Sequence, residues 1–259
     1  MSSPAPDSAP EDEDRPLLAH LLELRTRLMH SAGVVLVLFL IAYPFREPIY
    51  SALAGPLMAV LPEGATMIAT QVATPFLIPL KVALVGAFFA SVPYLLYQLW
   101  SFVAPGLYRH EKQLVWPLLI SSIILFYAGM AFAYFVVFPL IFEFFAAATP
   151  AGVSMMTDIG EYLSFIMTLF FAFGASFEVP IATILLVRSG ATTRQALAAK
   201  RPYVIVGAFT VGMLLTPPDV ISQVLLAVPV WLLFELGIFF SRWFTPPAPE
   251  VSDDASDDR

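Results

Sequence analysis

Cysteine is absent from the 259 residues, so neither disulfides nor thiol chemistry is available. Charge is scarce: 13% of residues are charged, against about a quarter in an average soluble domain. The three histidines, His20, His30 and His110, are scattered and have no carboxylate at ligand spacing, so no metal site is expected. No GxxxxGK[ST] loop is present, which excludes nucleotide hydrolysis by that route. No Gly-x-Ser-x-Gly elbow is present either. The tails and short loops cannot fold a soluble catalytic domain. The chain is therefore not expected to be an enzyme or to need a cofactor.

What remains is apolar. Hydrophobic residues make up 59% of the chain and the mean hydropathy is +0.80. That composition describes a polytopic membrane protein, all-α, rather than a soluble domain with an anchor. The net charge of −7 misleads. Half of the 20 acids lie at the ends: Asp7, Glu11, Asp12, Glu13 and Asp14, then Glu250, Asp253, Asp254, Asp257 and Asp258. Residues 1–16 and 244–259 read as disordered acidic tails around a membrane domain at 17–243. The N-terminus lacks the pattern of a cleavable signal.

Along the chain, leucines at 17, 21, 24 and 28 form a helical stripe with His20, Glu23 and Arg27 beside it. It lies at the interface or leads into a first span at 28–45. Residues 46–74 read as a long loop with Pro48, Pro56, Pro62 and Gly64, whose 51–61 portion suits a short helix on the membrane. Further spans are expected at 76–103, 114–145 and 159–188, with Lys81 snorkelling near the start of the second. Two short runs close the chain, 203–215 and 220–241, as two short spans or one re-entrant hairpin. Thirteen residues reach only about 20 Å, against a hydrocarbon core of about 30 Å, so local thinning is expected.

Six spans place both termini on one side. Of the 13 lysines and arginines, all but Arg46 and Lys81 fall on that side, which the positive-inside rule makes cytoplasmic. No internal repeat is visible.

Glu23 and Arg27 stand at i,i+4 in the favourable order, and an ordinary intrahelical pair accounts for them. A second reading sets Glu23 and Glu111 together at the cytoplasmic boundary as acceptors for a partner's cations. A carboxylate takes a guanidinium through a forked, charge-assisted contact that selects Arg over Lys. Arg25, Arg27 and Arg109 flank those acids, and Phe102 is a candidate apolar wall beside Glu111. Glu178 lies in mid-span before Pro180, where a carboxyl marks a functional site or an interhelical contact. Glu235 is expected at the interface near Arg242, and Asp219 as the cap of the last helix. Tyr97, Trp100, Tyr108, Trp231 and Trp243 are expected in interfacial belts.

The chain resembles the TatC family, the multispanning subunit of the twin-arginine protein translocase. The motifs are HLLELRTRL at 20–28, MIATQVATPF at 67–76, YQLWSFVAPGLYRHEK at 97–112 and FYAGMAFAYFVVFP at 126–139. SFEVP at 176–180, KRPYVIVGAF at 200–209 and GMLLTPPD at 212–219 extend the match to nearly the whole of 17–243. The resemblance implies a concave, glove-like six-helix receptor core without catalytic activity, in the bacterial cytoplasmic (inner) membrane. It implies binding of twin-arginine signal peptides of folded precursors, recruitment of TatA-like and TatB-like single-span partners, and export driven by the proton-motive force. Oligomers with further TatC copies are implied, and nucleic acid is not a partner. By motif, Glu23 and Glu111 would receive the signal arginines, with Arg25, Arg27, Arg109 and Phe102 shaping the patch. Pro56, Pro93 and Asp219 match further functional positions, and Glu178 an intramembrane contact. Two alternatives from other classes are a proton-coupled small-molecule transporter using Glu178 and a membrane scaffold with no cargo.

Overall fold

In a computed structural model the described residues are 14–61, 66–103, 115–150, 153, 156–216 and 219–243. Among them the chain is helical, with no strand beyond one isolated parallel bridge between Ile68 and Asp158. Five helical stretches are long and apolar enough to cross a membrane: Leu21–Met58, Thr74–Phe102, Trp116–Ala148, Ile159–Arg188 and Val220–Ser241. A sixth apolar helix, Arg201–Leu215, is shorter.

The first stretch begins with α1 (Asp14–Ala42), passes a 3-10 turn at Tyr43–Phe45 and continues as α2 (Arg46–Met58). The loop expected from residue 46 onward is thus helical to Met58, and Pro56 lies inside a helix. Pro48 falls in the first turn of α2, where its missing N–H has no intrahelical partner to lose. Pro56 falls in the last turn, where the loss is confined to one bond.

The second stretch is α3 (Thr74–Val103), with Pro79 and Pro93 inside it. The third joins α4 (Val115–Phe132) to α5 (Phe138–Ala148) through a π-helical turn at Ala133–Val137. The wider turn sits immediately before Pro139, whose ring would otherwise press on the Phe135 carbonyl.

The fourth stretch is broken. α6 (Ile159–Ser176) stops, and α7 (Val179–Arg188) starts after two intervening residues. Pro180 has no N–H and its ring collides with the carbonyl four residues back, which is Ser176, the last residue of α6. α8 (Arg194–Ala199) follows, capped by Thr193, whose hydroxyl accepts from the Ala196 amide at 3.1 Å. α9 (Arg201–Leu215) is about 22 Å long and α10 (Val220–Ser241) about 33 Å. Only α9 is therefore short; Pro229 is absorbed inside α10 without ending it.

Cα proximities divide the chain into two compact units: residues 1–123 with 149–164, and 124–148 with 165–259. In the first, α1 runs along α3, and α2 also packs on α3. None of residues 21–50 is buried, so α1 offers most of its surface to lipid. In the second unit α10 packs on α7 and on α9. Lipid gives helices little hydrophobic reason to associate, so close approach matters more. Gly237 supplies it: a Cβ there would meet Thr183 Cβ at 2.8 Å and Pro180 Cα at 2.9 Å. Phe138 and Phe173 are fully buried, with Phe170 edge-on to Phe138 at 4.9 Å.

Candidate functional site

Glu23 and Arg27 lie one helical turn apart on α1, and the side chains meet. Arg27 Nε and Nη2 both donate to Glu23 Oε1, at 2.9 and 2.6 Å. The pair is also tied to a second helix. Arg27 Nη1 donates to Gln98 Oε1 at 3.1 Å, and Nη2 to the Ser101 carbonyl at 3.1 Å. Gln98 Nε2 in turn donates to the Tyr94 hydroxyl at 2.6 Å. Ser101 belongs to the last turn of α3, whose carbonyls have no partner within the helix. A cation there also suits the negative end of the helix dipole.

The result is asymmetric. The Arg27 side chain is 23% exposed and engaged through all three of its nitrogens, whereas that of Glu23 is 39% exposed. Only its Oε1 is used; Oε2 accepts nothing among the described residues. Arg25 is exposed on another face of α1. Phe102 is half-buried directly after Ser101. Arg109 and Glu111 lie outside the described residues, as does Tyr108.

Trp100 is not at a wet boundary. It is buried, and its Nε1 donates to the buried Ser122 hydroxyl at 3.1 Å. The belt reading fails for this residue because the indole N–H finds its partner inside the protein. Trp243 is exposed.

The other singled-out residues lie elsewhere. Glu178 sits at the break between α6 and α7, as the residue preceding α7, with its Oε1 buried. Asp219 caps α10: its Oδ1 accepts from the Ser222 amide at 2.7 Å. Glu235 does not turn to Arg242. It takes Arg201 through two contacts, Nε to Oε1 at 2.5 Å and Nη2 to Oε2 at 2.7 Å. Arg242 lies over the rings of Phe239 and Trp243 instead. Lys81 does not snorkel outward; its Nζ reaches Ser164 Oγ at 2.5 Å and the Gly160 carbonyl at 3.5 Å.

Sequence reasoning passed over Asp158. Its Oδ2 accepts from the Thr70 amide and hydroxyl at 2.8 and 2.7 Å, and its Oδ1 from the amides of Gly160 and Glu161. The Thr70 hydroxyl and then the Thr70 and Glu161 amides hold this carboxyl down at about 2. A short polar residue just before a helix was the available signal; its partner, 88 positions earlier, had none.

Comparison with known proteins bears on the whole chain. The family model for the Sec-independent protein translocase protein (TatC) matches residues 19–229. The chain belongs to the TatC family. The TatC protein of Azotobacter chroococcum mcd 1 is 60% identical over 97% of this chain and 98% of its own length. That of Escherichia coli K12 is 56% identical over 90% of each chain. A crystal structure of the twin arginine translocase receptor TatC superposes with a TM-score of 0.78 at 38% identity, covering 88% of this chain and all of that one. As a TatC protein the chain is a multi-pass membrane subunit of the Sec-independent translocase, supporting Tat translocation without enzymatic chemistry.

Proposed function

We propose that this chain is the receptor of its translocase, reading paired arginines of signal peptides through Glu23 and Glu111. The observation that carries the reading is the state of Glu23. One oxygen is gripped by Arg27, which is itself fixed to the end of α3, and the other accepts nothing among the described residues on a side chain that is 39% exposed. Such a group is preorganised: little side-chain freedom is lost when a guanidinium arrives. Ser101 lies ten positions before Glu111, so the anchor stands at the root of the segment that carries the second acid.

In this reading Arg25 and Arg109, with Arg27, shape the patch around the two acids. Phe102 offers an apolar wall to the residue beside the arginines. All six apolar helices span the inner membrane, with both termini in the cytoplasm and the Arg27 patch on that side. Glu178 meets a single-span TatA-like or TatB-like partner, or the signal's apolar stretch. Pro56, Pro93 and Asp219 shape the helices that such partners and further TatC copies touch. The acidic tails, 1–16 and 244–259, flank the membrane domain. The proton-motive force drives the export.

A photoreactive amino acid at Phe102 tests the reading. It is expected to capture a twin-arginine precursor and to capture far less of one whose arginines are replaced by lysines. Equal capture of both would refute it.

A further inference from the structure

An apolar crease of about 750 Å³ runs between α1 and α3, lined by Leu28, Val35, Leu36, Phe39, Leu84 and Leu95 among others. Among the described residues, Lys81 is the one charged residue on its wall. The Arg27–Gln98 contact sets α1 and α3 antiparallel, so the crease extends from Leu28 and Leu95 to Phe39 and Lys81. Leu28 to Phe39 is a rise of about 16 Å.

We propose that this crease is a binding site for an anionic phospholipid, with one acyl chain between α1 and α3 and the phosphate on Lys81. Charge decides the head. Lys81 Nζ carries three N–H donors, of which Ser164 Oγ and the Gly160 carbonyl take two. Both acceptors are neutral, and among the described residues no carboxylate pairs with this lysine. A cation in an apolar stretch is costly without a counter-charge, and a third donor is free to serve one. Shape decides the tail. The crease is lined almost wholly by apolar side chains over that rise of about 16 Å, which suits a hydrocarbon chain. A single cation at the end of a long apolar slot matches an anionic head on a hydrocarbon chain. A soluble anion would leave the slot empty.

Native mass spectrometry of the purified full chain with dioleoyl-phosphatidylglycerol or dioleoyl-phosphatidylcholine tests this. The wild-type chain should retain the anionic lipid by about 5-fold over the zwitterionic one, as one interfacial lysine supplies. Lys81→Gln should bring the two lipids to parity, and Lys81→Arg should keep the preference. Leu84→Trp, which fills the crease, should lower retention of both. A photoreactive residue at Leu36 in phosphatidylglycerol vesicles should give a lipid adduct. Parity in the wild-type chain, an undiminished preference in Lys81→Gln, or a protein adduct at Leu36 in place of lipid would each overturn the proposal. The wild-type ratio decides the matter even where Lys81→Gln fails to fold.

Discussion

Arg27 closes the end of α3 by donating to the carbonyl of Ser101, 74 positions further along the chain. The same guanidinium holds Glu23 on its own helix and Gln98 on the other. One side chain thus fixes the relative placement of α1 and α3 where their polar groups gather. Arg27→Lys keeps the charge but offers one nitrogen in place of the planar fork, so it cannot span acceptors that Arg27 meets from three separate nitrogens. Arg27→Gln loses the charge as well. Thermal unfolding in detergent should show a loss of about 1 kcal/mol for Lys and about 2 for Gln, at the low end for charge-assisted bonds because the site is part-exposed. Unchanged unfolding of both would mean that the tie is ornamental.

Trp100 and Ser122 provide an internal test of the first unit. Trp100→Phe leaves a buried Ser122 hydroxyl without its indole partner, at a cost of about 1–3 kcal/mol. Ser122→Ala in the same background removes the stranded group. The double variant should therefore be less destabilised than the sum of the singles, measured as a mutant cycle on thermal unfolding. Strict additivity would deny the bond.

Glycines in the helices divide into two kinds. Gly237 faces Pro180 and Thr183 at distances no Cβ tolerates, so Gly237→Ala should push α10 off α7 at about 1–3 kcal/mol. Gly129 is similar, with the Phe173 carbonyl 2.5 Å from where a Cβ would stand. Gly33 has open space around it, and Gly33→Ala should be neutral or stabilising by up to about 1 kcal/mol. Comparing the three unfolding temperatures checks the packing directly.

The Asp158 carboxyl, lowered from 3.8 to about 2, makes a statement about pH. A depressed folded-state value stabilises the fold above the unfolded value and ceases to do so as pH falls through the folded one. The tie to Thr70 should therefore be constant from neutrality down to about pH 4 and fade toward pH 2. Amide exchange at Thr70, corrected for its intrinsic pH dependence, should show protection that follows this course. Asp158→Asn should abolish the dependence; protection that persists unaltered in that variant would contradict the assignment.

Legibility followed distance along the chain. Apolar runs announced the spanning helices, because the membrane demands about 20 apolar residues together. Pro180 lay inside one expected span at 159–188, and the structure shows the break there. Asp219 announced a cap, since its partner is local. Arg201 and Glu235, 34 positions apart, did not announce each other; the nearest cation to Glu235 in sequence was Arg242, which found aromatic rings instead. Trp100 shows a different ambiguity. An indole suits a wet boundary or a dry core with one acceptor, and only the arrival of Ser122 decides. At the candidate site, the Glu23–Arg27 pair was readable from spacing. Its anchorage to Gln98 and Ser101 was not.

The central claim is that Glu23 is a preset acceptor for a signal arginine. The most direct measurement is the affinity of a twin-arginine signal peptide for the reconstituted full chain, compared with Glu23→Gln, which keeps the shape and removes the charge. Loss of a charged hydrogen-bond acceptor predicts about 10- to 100-fold weaker binding, together with a collapse of the preference over a twin-lysine peptide. Equal affinity and an intact preference in Glu23→Gln would contradict the account.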